Sequence, residues 1–225
     1  LSSAGGGGLI IWSGGAPPAP TVGSPPPLPP PLAGVPRRAV WPRKTQTPSR
    51  KPRAKSRACR NTDVTYYGDT TAALEAQKAD LRKAQHFIFM EYHAIEDSTA
   101  WQGIEDILAE RAAAGVEVRV FYDDMGSIGF VDTAFAKKLQ QRGIQCRVFN
   151  PIVPVLNVFM NNRDHRKITV IDGQVGYTGG YNLADEYFNL THPYGQWKDS
   201  GVRLQGDAVR SLTLIFLEMW GTTQK

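Results

Sequence analysis

Hydrophobic positions from residue 70 onward switch repeatedly between a helical period near 3.6 and a strand period of 2. Leu74 and Leu81 stand seven apart with alanines between them, predicting a helix over Thr71–Gln85. Phe87–Tyr92 is a short apolar run of strand length. Trp101, Ile104, Ile107 and Leu108 make one helical face that ends at Gly115, a good C-terminal stop. Val116, Val118 and Val120 alternate with Glu117 and Arg119, the pattern of a strand. Phe135 and Leu139 mark a helix closed by Gly143, and Ile144–Phe149 reads as another strand. The β-branched run Arg166–Ile171 ends in Asp172-Gly173, a hairpin signal. Val202 and Leu204 lie on a further strand, and Val209, Leu212, Phe216 and Met219 line a last helix. Strands alternating with helices of this length predict an α/β layered domain.

Residues 1–60 break the pattern. They hold ten Lys/Arg and no Asp or Glu, and thirteen of the sixteen prolines. Gly5–Gly8, a proline cluster at Pro25–Pro31 and a basic run from Arg37 to Arg60 cannot bury enough apolar surface to offset ordering entropy, so a disordered tail is expected. It is either a polybasic arm for anionic lipid or nucleic acid, or an extension with no selected role. The formal charge of +5 therefore misleads: residues 61–225 carry sixteen basic against twenty-one acidic side chains. Cys59 and Cys146 have no metal-ligand spacing, and Cys146, alternating with Ile144 and Val148, is expected to be a buried small hydrophobe. No apolar run approaches the roughly 18 residues that span a bilayer.

The densest chemistry lies in Asn162–Asn182, NRDHRKITVIDGQVGYTGGYN. On a strand, His165 and Lys167 share a face at roughly 6.6 Å between Cα atoms. An imidazole and an ammonium so placed suit one phosphodiester: the first attacks phosphorus, the second neutralises a non-bridging oxygen. Asp172, five positions past Lys167, reads as a turn residue that also holds nearby backbone. Gly179 and Gly180 let backbone N–H groups approach an anion, and Asn182 offers an amide at the same edge. Asp199 is a candidate to accept from the second nitrogen of His165 and fix its tautomer, or else a surface salt-bridge residue. His86 and His93 have neither a lysine two residues on nor an aspartate seven on, His192 lacks the lysine, and all three read as structural. Asp123-Asp124 read as loop or cap residues without a metal. The apolar connection Pro151–Met160 is either a lipid-facing lip or a core-packed loop.

The spacing H-x-K-x4-D-x6-G-G-x-N resembles the signature of the phospholipase D superfamily. Phe149-Asn-Pro151, Asn162–Ile168, Val170–Gly173, Asp185-Glu-Tyr187 and Trp197-Lys-Asp199 resemble the first catalytic half of a bacterial cardiolipin synthase, as do Gly115–Arg119 and Tyr122–Ser127. The resemblance runs from about Val64 to the C-terminus. It implies a mixed sheet between helices over 61–225, with His165, Lys167 and Asp172 catalytic, Gly179, Gly180 and Asn182 substrate-binding, and no metal or cofactor. It implies a phosphohistidine route in which two phosphatidylglycerol molecules yield cardiolipin and glycerol, peripherally on the cytoplasmic face of an anionic membrane. Such chemistry uses two histidine motifs, and this chain has one. A fragment lacking its second half, a homodimer sharing one site across a two-fold axis, and an inactive remnant are the three explanations. The flanks match synthases better than nucleases, which puts the fragment first. A dimeric phosphodiesterase or nuclease is the runner-up, although a domain near −5 argues against nucleic acid. A non-catalytic lipid-binding module is third.

Overall fold

Among the described residues there are twelve elements, in the order β1 (Thr62–Tyr67), α1 (Thr70–Leu81), β2 (Phe87–Tyr92), α2 (Thr99–Ala113), β3 (Glu117–Asp123), α3 (Phe135–Gln141), β4 (Gln145–Phe149), β5 (Lys167–Ile171), β6 (Val175–Gly179), a 3-10 helix (Asp185–Phe188), β7 (Gly201–Gly206) and α4 (Val209–Thr222). The computed structural model describes residues 59–152 and 161–223. The expected tail lies outside these residues except for Cys59 and Arg60, as does the Pro151–Met160 connection beyond Ile152. Gly115 and Gly143 take φ of +90° and +80° just past α2 and α3, which is why glycine stops both helices there.

The strands form one seven-stranded sheet in the order β1-β7-β6-β5-β2-β3-β4. The β2–β3 and β3–β4 pairs are parallel and the others antiparallel, so the sheet is mixed, as the resemblance implied. Side-chain alternation splits the core in two. On one face Ile88, Met90, Tyr92, Val118, Val120 and Tyr122 pack with α1, α2 and α3 through Leu74, Leu81, Trp101, Ile104, Phe135 and Leu139. On the other, Phe89, Phe121, Ile168 and Val170 pack against Val209, Phe216 and Trp220 of α4. Each large apolar side chain buried this way stabilises the fold by about 1.5–3 kcal/mol before entropy is counted. Cys146 lies in the first of these cores, where burial pushes its thiol up to about 12.

Two elements escaped the hydrophobic pattern. β1 is an edge strand whose Val64 and Tyr66 are 63% and 68% exposed, so it shows no buried alternation. It is held by its ladder to β7 instead. The four-residue 3-10 helix is too short to display a period.

The ladders also fix which ends of the strands meet. Tyr92 pairs with Lys167 and Gly179 with Gly201. The C-terminal ends of β2, β3 and β6 and the beginnings of β5 and β7 therefore share one edge of the sheet. The first Asp172-Gly173 hairpin signal closes the opposite edge.

Candidate functional site

β5 begins at Lys167, so His165 stands in the extended segment just ahead of the strand rather than on it. The expected shared face gives way to a tighter relation. Lys167 is buried, His165 is exposed, and Lys167 Nζ donates to the His165 carbonyl at 2.9 Å. Burial lowers Lys167 to about 8, with Asp164 and Asp199 opposing that shift. The Lys167 charge in turn pushes His165 below the usual imidazole range, followed by burial and by His93, while Asp164 and Asp123 pull the other way. The result near neutral pH is an uncharged, solvent-facing imidazole above a buried cation.

Asn182 reaches the same edge. Its Oδ1 accepts from the Ala94 N–H at 3.1 Å and its Nδ2 donates to the Tyr187 hydroxyl at 2.9 Å. One Nδ2 hydrogen and the Tyr187 O–H remain as donors for a ligand. The residues after Tyr92 run beside those after Asn182, with Leu183 N–H donating to Ala94 O and Glu96 N–H to Leu183 O. This clips the β2 exit to the β6 exit. Tyr187, quoted for the resemblance but given no role of its own, is half-buried and stacks obliquely on Trp197 at 4.7 Å between ring centroids.

Gly179 and Gly180 have a packing cause of their own. A Cβ on Gly179 would lie 3.0 Å from Gly201 Cα, and one on Gly180 would lie 2.8 Å from the Asp199 carboxyl carbon. The second glycine thus lets Asp199 come in toward the site. Asp199 Oδ1 accepts from the Ser200 N–H at 2.7 Å, and its charge acts on Lys167 and Tyr187. Beside it opens a concavity of about 520 Å³ lined by Gly68, Thr70, Asn189, Trp197 and Lys198 among others.

Asp172 is not brought to this edge. It sits at the far end of β5, at φ +52° ahead of Gly173 at +65°, with Gln174 N–H returning to Ile171 O. Two successive residues with positive φ make the turn that an Asp-Gly hairpin favours. Its carboxylate accepts the Gln85, His86 and Phe87 N–H groups, each at 2.8 Å. The turn-and-backbone role read from the sequence is the one these bonds describe.

Beneath His165 lies an ionic cluster that no spacing rule marks. Glu91 and Asp123 are fully buried and Asp164 nearly so. Asp123 accepts from the Asp164 and Gly126 N–H groups and pairs with Arg163 at 3.3 Å. Asp124 accepts from the Ile152 N–H at 2.6 Å. Arg166 Nε donates to Asp164 Oδ1 at 3.0 Å and lies 2.7 Å from Glu91 Oε1, without hydrogen-bond alignment to the latter. Burial, then the neighbouring Asp164, raises Glu91 to about 8, so its carboxyl holds a proton at neutral pH. His93, read from the sequence as structural, packs beside His165. Its ring lies 4.7 Å from that of His165 and its Nδ1 is 2.8 Å from the Asp164 carbonyl.

Comparison with known proteins fits this geometry. A family model described as "Cardiolipin synthase, PLD-like domain" matches residues 78–220. An uncharacterised Streptococcus mutans protein is 46% identical over 166 residues, 74% of this chain and 36% of its own. Cardiolipin synthase 2 of Staphylococcus epidermidis is 38% identical over 161 residues, 71% of this chain and 33% of its own. The chain thus spans about a third of the length of these relatives. Solved structures that share the fold include two covered over nearly their whole length. NucT from Helicobacter pylori has a TM-score of 0.53 at 10% identity, with 71% of this chain and 96% of that one covered. Nuc from Salmonella typhimurium, a phospholipase D family member, has a TM-score of 0.53 at 17% identity, with 71% and 93% covered.

Proposed function

Because the chain belongs to the family of cardiolipin synthase PLD-like domains, we propose that it is one catalytic half of a phosphatidyl transferase that makes cardiolipin from two phosphatidylglycerol molecules. The observation that carries this reading is the exposed, uncharged His165 set above the buried Lys167 ammonium on the edge that also holds Asn182. A His165 ring nitrogen attacks the phosphorus of the first lipid, the bond to the glycerol oxygen breaks, and glycerol leaves with a proton. A hydroxyl of the second lipid then attacks the phosphorus. The P–N bond breaks, its electron pair returns to the imidazole, and the hydroxyl proton passes to a base. Lys167 and the Asn182 amide hold the non-bridging oxygens through both steps. Asp172 holds the strand that carries this edge, and Asp199 is the candidate acceptor for the second nitrogen of His165. The acid that protonates glycerol belongs to a second motif, supplied by the remainder of a longer protein or by another copy.

The substrate places the enzyme peripherally on an anionic membrane. Among the described residues no helix is long and apolar enough to cross one. A second reading is a homodimeric phosphodiesterase or nuclease, favoured by the coverage of NucT and Nuc over nearly their whole chains. The negative balance of residues 61–225 weighs against a nucleic-acid substrate.

Sedimentation of the full chain, combined with turnover of phosphatidylglycerol and of a nucleic acid by wild type and His165→Ala, separates the readings. A monomer that gains His165-dependent cardiolipin formation only when the second motif is supplied supports the half-transferase. A dimer that cleaves nucleic acid and ignores phosphatidylglycerol overturns it.

A further inference from the structure

His93 is the first residue past β2, and two features lock its ring. Its Nδ1 lies 2.8 Å from the Asp164 carbonyl. A carbonyl only accepts, so Nδ1 carries the hydrogen and Nε2 the lone pair in the neutral ring. On the other side is Gly126, where a Cβ would lie 2.6 Å from His93 Cε1 and 2.7 Å from Nδ1. Gly126 is itself tied down, its N–H donating to Asp123 at 3.0 Å. The ring that results is tilted 54° to the His165 ring at 4.7 Å between centroids.

That separation decides what His93 does. An in-line displacement would place a phosphorus, its leaving oxygen and a hydrogen bond of about 2.6–3.2 Å between nucleophile and acid. Rings this close leave no room for them, so His93 is not the missing acid. We infer that His93 is a positioning residue for His165, fixing the Asp164 carbonyl through its Nδ1–H and bracing the neighbouring imidazole with its ring. The anchored carbonyl belongs to the peptide that leads directly into His165, so the bond sets where that imidazole stands. The ring contact adds an electrostatic effect. Lys167, then burial, then His93 disfavour a proton on His165, while Asp164 and Asp123 favour one, so His93 adds to the pull toward the free base. The inference rests on His165 being the working imidazole, but its first test does not need turnover.

The test is NMR titration of the histidine ring signals in the full chain, comparing wild type with His93→Gln and His93→Ala. Gln keeps an N–H donor for the Asp164 carbonyl but cannot take a proton. The expected result is a Nδ1–H tautomer for His93 in wild type and a higher His165 midpoint in both variants. A His165 midpoint unmoved in both, in chains that remain folded, overturns the inference whatever the activity. Where turnover is present, His93→Gln, which keeps the carbonyl bond but loses the ring, is expected to lose less rate than His93→Ala, with its acidic limb moved to higher pH. His93→Ala loses rate on the order of 100-fold, as expected for a reacting group held about 1 Å out of place. Equal loss in both variants, with the limb unmoved, also overturns the inference. Absence of turnover even with the second motif supplied, with the NMR shift intact, counts against the transferase reading and leaves His93 as the brace of His165.

Discussion

Two buried ionisable side chains at the site carry their own pH signatures. Lys167 is lowered by burial to about 8, and the neutral amine cannot compensate a phosphoryl oxygen. Turnover is expected to fall on a basic limb near pH 8, and Lys167→Arg, which stays charged, moves that limb to higher pH while lowering the plateau. A pH–rate profile of both proteins checks this. Glu91 is raised by burial and by Asp164 to about 8 from 4.5. Between those values the unfolded chain has released a proton that the folded chain retains, so stability falls as pH rises from about 4.5 to about 8. The slope is at most about 1.4 kcal/mol per pH unit. Glu91→Gln is expected to flatten that decline and to be the more stable protein at pH 9, its amide donating to Asp164. Urea unfolding of both proteins at pH 5, 7 and 9 measures it. Asp172→Ala removes the acceptor of three N–H groups and is expected to cost about 1–3 kcal/mol in the same assay, with Asp172→Asn losing less because Asn tolerates the positive φ.

Among elements, those with a clean apolar period were legible and those without it were not. β2 was read at its observed bounds because Phe87–Tyr92 is apolar apart from Glu91, and all but Phe87 are buried. α4 showed its stripe because it covers a core face with Val209, Phe216 and Trp220. β1 was invisible because an edge strand with exposed Val64 and Tyr66 is specified by its partner β7, not by its own pattern. The helix over Thr71–Gln85 was drawn too long, since α1 ends at Leu81 and the chain turns through Arg82–His86 to reach the Asp172 carboxylate. Phe216 stacks on Phe89 at 4.8 Å and on Trp220 at 5.7 Å. Phe216→Ala is therefore expected to cost about 3–5 kcal/mol in thermal or chemical unfolding, a cavity under α4 being the cause.

At the scale of the molecule, the sheet gathers His165, Lys167, Asn182 and Asp199 at one edge and leaves Asp172 at the other. Spacing alone marked the residues, because His165 lies two positions ahead of Lys167 at the start of β5 and the hairpin returns the chain to Asn182. It left His93, Glu91 and Asp164 unmarked, because these meet across β2 and β5 from positions more than seventy residues apart. Only the pairing of Tyr92 with Lys167 brings them together. The edge so built holds one exposed imidazole, one buried cation and one amide, which is half of what the proposed displacement at phosphorus through two imidazoles requires.

The most direct measurement is to locate the covalent intermediate. Phosphatidylglycerol labelled at phosphorus is turned over by the assembly that carries both motifs, quenched, digested and mapped. The account predicts an acid-labile, base-stable label on the peptide that contains His165, and neither label nor cardiolipin with His165→Ala. A label on another residue, or undiminished cardiolipin formation in the variant, would contradict it.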